Sequence, residues 1–212
     1  MNPATPSTIP IGGLSALGRV ALNERHGRIL DFARATCGGV AAWRVRKLAE
    51  VHELAALAQI SNRLKIEWLD VTVDLRAVVE MRVTVPCLHR PDGPLEVMPR
   101  AVLGFMYRQA GMVLPQPGYS FVQILAPSHV WCANVSRDVH QVLCLGPSMP
   151  AGVPLKEIIL MAYGALTMQT VQLDAADAAG VLNAEAADWW LRNAEKFPLS
   201  REPFLGTSEA RT

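Results

Sequence analysis

The sequence predicts an α+β domain. Apolar residues recur at helical spacing early in the chain, alternate through its middle, and return to helical spacing toward the end. Strands that follow one another in sequence, with helices before and after, pair most simply as an antiparallel meander with the helices set to one face or end of the sheet.

The first helix is expected over Leu14 to Ala35, where Leu17, Val20, Ala21, Ile29, Phe32 and Ala33 form an apolar face. Cys37-Gly38-Gly39 ends it. A second helix is expected from Ala41 to Gln59, with Leu48, Val51, Ala55 and Ala58 as its stripe. The short basic run Arg44, Arg46 and Lys47 falls on this helix and reads as a solvated face. The period then changes to two. Leu64, Ile66 and Trp68 alternate, as do Val79, Met81, Val83 and Val85, and again Ala101, Leu103, Phe105 and Tyr107. The turn Arg90-Pro91-Asp92-Gly93-Pro94 separates two of these strands. A further strand is expected over Ser120 to Leu125, then an irregular run from Ala126 to Gly146. Leu155, Ile158, Ile159, Ala162 and Leu166 restore helical spacing within Val153 to Met168, and Asn183 caps a last helix carrying Trp189 and Trp190. Adjacent tryptophans cannot both face one core, so one of the two is expected at least partly exposed.

A chain of 212 residues, 50% hydrophobic and 18% charged, has the apolar content for one core and hence one main domain. The formal net charge of +1 argues against a nucleic-acid partner, which would need clustered Lys and Arg. No apolar run reaches membrane-spanning length. Met1 to Gly13 has neither a basic start nor an apolar segment, and its Pro, Ser and Thr content predicts a disordered tail, not a signal peptide. Four cysteines (Cys37, Cys87, Cys132 and Cys144) are too few for a disulfide framework in a chain this long, so a reducing, cytoplasmic setting is expected. There is no Gly-rich phosphate loop, dinucleotide fingerprint, nucleophile-elbow serine or metalloprotease helix, and no cofactor is expected.

Chemistry, if present, concentrates in the long loop, because loops of that length inside a compact domain are commonly functional. It holds His129, Cys132, Asn134, Ser136, Arg137, Asp138, His140 and Cys144. Cys132-Ala133-Asn134-Val135, then Cys144-Leu145-Gly146, then a helix, then Leu182-Asn183-Ala184-Glu185-Ala186-Ala187 together resemble the second half of a ubiquitin-conjugating enzyme domain. In that family a His-Pro-Asn tripeptide precedes an Ile-Cys-Leu motif, a helix follows, and Pro-Leu-Asn-x-Glu-Ala-Ala opens a C-terminal helix. Here Cys132 and Ala133 stand in place of the His and Pro. The chain resembles the divergent bacterial members, encoded beside an activating enzyme, a ubiquitin-like protein and a deconjugating protease and linked to antiphage defence.

The resemblance implies a ubiquitin-conjugating-enzyme-like fold over residues 41–205. It leaves a helical extension over 14–40 and tails over 1–13 and 206–212. It implies a transferase in which Cys144 accepts a ubiquitin-like protein from an activating enzyme as a thioester and passes it to an amine on a target protein. By the same resemblance Asn134 matches the asparagine of the tripeptide, with its amide either stabilising an oxyanion or holding the loop. His140 lies four residues before Cys144 and is a candidate to raise the thiolate fraction or to deprotonate an incoming amine, although no family motif assigns it that role.

Blander readings stand beside these. Free cysteine is among the most buried residue types, Asn134 is a common turn former, and Cys132 competes with Cys144 as packing, disulfide partner or nucleophile. His129 and Cys132, with His140 and Cys144, offer two His and two Cys for structural zinc in a binding module. A third alternative keeps the fold and removes the chemistry, as an inactive adaptor that binds a ubiquitin-like protein.

Overall fold

A computed structural model describes residues 26–90, 93–174 and 180–205. The predicted tails over 1–13 and 206–212, and residues 14–25 of the predicted first helix, lie outside the described residues. The architecture is α+β. Helices α1 (His26–Thr36) and α2 (Ala41–Ile60) precede strands β1 (Leu64–Asp70), β2 (Leu75–Cys87) and β3 (Glu96–Tyr107). A short helix α3 (Ala110–Val113) leads to β4 (Val122–Ala126) and β5 (Val142–Leu143), followed by α4 (Leu155–Leu166) and α5 (Ala184–Leu191). The five strands form one antiparallel sheet in the order β1-β2-β3-β4-β5.

The break between the first two helices is a matter of space and backbone angle. Gly39 sits at φ +95, and a Cβ on Gly38 would lie 2.3 Å from the Thr72 carbonyl oxygen. Only glycine accepts that approach and that angle without strain. The Gly38 N–H uses the space to donate to Val71 O at 3.2 Å, tying the helical pair to the turn between β1 and β2.

Helix α2 corrects the expectation of a solvated basic face. It buries Trp43, Lys47, Glu50, Val51, Leu54, Ala55 and Leu57, so the inward stripe itself carries two charged residues. Lys47 is 0% exposed; its ammonium donates to Val71 O and to Val73 O, the latter at 3.0 Å. The Trp43 indole N–H donates to the same Val73 O at 2.9 Å. A helix reaches a strand turn in this way by satisfying carbonyls that would otherwise be costly to bury. Arg46 is half-buried; it donates to Gly152 O at 2.7 Å and Tyr107 Oη at 3.1 Å, and pairs with Glu50 at 2.6 Å. Glu50 in turn accepts from the Leu155 N–H at 2.7 Å, capping the first turn of α4 from another element. Arg44 alone of the three basic residues is exposed.

The other helices follow the sequence closely. Leu155, Ile158, Ile159, Ala162 and Leu166 are all buried on α4. Asn183 caps α5, its side-chain oxygen accepting from the Ala186 N–H at 3.0 Å. Of the adjacent tryptophans, Trp190 is fully buried and donates to Trp131 O at 2.8 Å, while Trp189 is half-exposed under the Lys196 ammonium. Among the described residues no helix is long and apolar enough to cross a membrane.

Candidate functional site

The run from Ala126 to Gly146 is less irregular than its composition suggests. Residues 134–136 pair with 142–144: the Cys144 N–H donates to Asn134 O at 2.8 Å, Val135 bridges Leu143, and the Ser136 N–H donates to Val142 O at 2.9 Å. The tip between them is wound around one carboxylate. Asp138 Oδ1 accepts from Ser136 Oγ at 2.9 Å, from the His140 N–H at 2.9 Å and from the Gln141 N–H at 3.1 Å. Short polar side chains that bond their own backbone favour such turns over regular structure. The Gln141 side chain then fastens the upstream loop, accepting from the Val130 N–H at 2.8 Å and donating to Pro127 O at 2.8 Å.

The α5 entry is bound to the same place. The Leu182 and Asn183 N–H groups both donate to Ala133 O, at 2.8 and 3.0 Å, and Asn134 Nδ2 donates to Gly180 O at 3.1 Å. The dipeptide Ala133–Asn134 therefore joins three segments: its own, the one ending in Cys144 ten residues on, and the distant one opening α5. Asn134 is 6% exposed, and one of its amide hydrogens is committed to Gly180.

Cys144 follows β5 directly. Its thiol donates to Gly146 O at 3.3 Å, a turn that Gly146 permits by adopting φ +120. Gly118 closes the other side: its carbonyl accepts from the Leu145 N–H at 3.3 Å, and a Cβ there would lie 2.1 Å from Gly146 O. Cys144 lines a cavity of about 720 Å³ with Asn134, Leu160, Tyr163, Gly164 and Gln169–Gln172, although the residue itself is only 1% exposed. Sequence reasoning missed the wall formed by Tyr163, Gly164 and Gln169–Gln172; those residues carry no motif and reach the site because α4 ends beside it.

Cys132 lies inside the protein, 3.6 Å from Met168 Sδ, 3.9 Å from Ala165 O and 4.0 Å from Asn134 Oδ1. Burial pushes its thiol up to about 11, against a smaller opposing effect of its hydrogen bond to Asn134. Cys87 is likewise pushed up to about 11, first by burial and then by the nearby Glu96 carboxylate. All four cysteines are buried, and none of them is in a disulfide.

Asn134 and Cys144 are thus brought together at one cavity, and His140 is not among the residues lining it. The half-exposed His140 belongs to the turn around Asp138. Nor does the candidate zinc set converge. His129 lines a different cavity from Cys144, and among the described residues no three His, Cys, Asp or Glu side chains gather to hold a metal ion. Compared with protein-family models, with curated proteins and with solved structures, the chain matches none.

Proposed function

We propose that the chain is a conjugating enzyme of the ubiquitin-conjugating type, with that family's fold, working on a bacterial ubiquitin-like protein. The supporting observation is the convergence on Ala133–Asn134. The three sequence pieces that carry the resemblance, around Asn134, Cys144 and Leu182–Asn183, are hydrogen-bonded to one another through that dipeptide. The helix, meander, loop and helix order agrees with it.

In this reading the Cys144 thiolate attacks the carbonyl carbon of the thioester on the activating enzyme. A new C–S bond forms, the old one breaks, and the activating enzyme's thiolate leaves. The nitrogen of a target amine then attacks the same carbon. A C–N bond forms, the Cys144 thiolate departs, and the amine proton passes to solvent. Asn134 acts as a positioning residue through Gly180, and His140 is available to an incoming target rather than to the thiol. Because Cys144 is 1% exposed, loading includes an opening of the cavity that lets the polypeptide terminus reach the sulfur. The target protein belongs to the same proposal, as does a role in antiphage defence in the cytoplasm.

Incubation with the activating enzyme, ATP and the ubiquitin-like protein tests this directly. A thiol-sensitive adduct is expected on the native chain, absent in Cys144→Ala and converted to a thiol-resistant ester in Cys144→Ser. An adduct that persists in Cys144→Ala refutes the assignment.

The burial of Cys144 favours one second reading, an adaptor that binds the ubiquitin-like protein without forming a bond to it. Binding that is unchanged by Cys144→Ala, with no adduct at any time, is its signature.

A further inference from the structure

The chain beyond α5 returns to the Cys144 cavity. The Leu199 N–H donates to Thr167 O at 2.9 Å, just past α4. Residues 200–205 then run without helix or strand to the end of α2, where Ser61 Oγ donates to Phe204 O at 3.5 Å. Two residues of the cavity wall hold this strap. Gln169 Nε2 donates to Ser200 O at 2.9 Å and to Glu202 O at 3.1 Å, and the Tyr163 hydroxyl donates to Glu202 O at 2.8 Å. The strap supplies a third wall residue itself. Phe204, 6% exposed, meets the Tyr163 ring edge to face at 5.3 Å and lines the same cavity as Cys144.

These contacts differ in kind from those of the core. The strap carbonyls of Ser200, Glu202 and Phe204 take side-chain donors, and Arg201, Glu202, Pro203 and Leu205 are exposed. Arg63 adds an ion pair to Glu202, whose side chain is 69% exposed, and lays its guanidinium over the Tyr163 ring at 5.6 Å. A segment held by a few side chains and one aromatic ring opens at lower free energy than the sheet and helices it rests on.

We propose that residues 199–205 are the lid of the Cys144 cavity, closed over a sulfur whose residue is 1% exposed and lifted to admit a reacting partner. Lifting withdraws Phe204 and releases Tyr163 and Gln169, three of the lining residues, without breaking a strand or a helix. The lid stands on these contacts, while its use as a control on loading rests on the function proposed for Cys144. Glu202 does not line the cavity, so its side chain acts on access to the sulfur through the strap.

The test is iodoacetamide labelling of the native full chain, with Cys144 and Cys132 followed separately by peptide mass mapping. Cys132, 0% exposed, reports global unfolding. Glu202→Arg sets two cations against each other and is expected to label Cys144 about fivefold faster than wild type, with Cys132 unchanged. Adding Arg63→Glu to Glu202→Arg restores an opposite pair and is expected to return the rate to within about twofold of wild type. Phe204→Ala removes the ring and is expected to label Cys144 at least as fast as Glu202→Arg. The proposal is overturned by a Cys144 rate that is unchanged in Glu202→Arg, that rises only in step with Cys132, that stays high in the charge-swapped variant, or that rises in Phe204→Ala alone. Adduct formation with the activating enzyme separates the two ideas. Faster labelling in Glu202→Arg with no adduct on any variant keeps the lid and refutes the proposed function. An adduct on wild type, with Glu202→Arg labelling at the wild-type rate, refutes the lid alone.

Discussion

At Cys132 the thiol touches a thioether and a carbonyl deep in the protein, and its proton is held to about 11 against an ordinary value of 9.0. At neutral pH roughly one molecule in ten thousand carries the thiolate there, which makes Cys132 a poor nucleophile. The same shift has a consequence for stability. Above pH 9 the unfolded chain releases this proton while the folded chain keeps it, so stability that is fully present below about pH 9 is lost as pH rises toward 11. Urea unfolding at pH 8 and pH 10.5 is expected to show wild type losing roughly 2 kcal/mol more than Cys132→Ala over that interval. Equal losses in the two proteins would mean that Cys132 does not carry its proton as described. In the sequence only the resemblance singled out Cys144, because both thiols sit in one loop; in the structure Cys144 lines a cavity and Cys132 packs against the end of α4.

The Arg46–Glu50 pair shows what an element demands beyond its own stripe. Apolar spacing on α2 located the helix, and two of its four predicted stripe positions, Val51 and Ala55, are fully buried. Lys47 was misplaced at the surface because hydropathy scores a side chain without its distant partners, here the carbonyls of Val71 and Val73; Glu50 is likewise buried and meets the N–H of Leu155. Glu50→Ala leaves that N–H unpaired and takes the carboxylate from Arg46. The expected cost is roughly 3 kcal/mol, measured by urea unfolding, with Glu50→Gln milder because it keeps an acceptor. An effect under 0.5 kcal/mol in Glu50→Ala would show that α4 needs no cap from α2. Strand β5 illustrates the opposite limit. It is two residues long, too short for any alternation to register, yet it pairs with β4 and delivers Cys144 to the end of the sheet.

Across the whole molecule, the meander and the helices around it were legible because period and turn residues act locally. The site was legible only as an order of motifs. The hydrogen bonds that gather Asn134, Cys144 and Leu182–Asn183 span up to 50 residues of chain, from Ala133 to Asn183, and no local pattern encodes that closure. The far wall of the Cys144 cavity was silent for the same reason. What the fold provides is a cavity, lined by Asn134 and Cys144, at the place where these segments join.

The most direct test of the carrier reading is the rate at which iodoacetamide labels each cysteine in the native protein, read by peptide mass mapping below the onset of unfolding. Opening of its cavity should let Cys144 react well ahead of Cys132, at a rate insensitive to changes in global stability such as Glu50→Gln. Labelling of Cys144 and Cys132 together, at a single rate that tracks global unfolding, would contradict it.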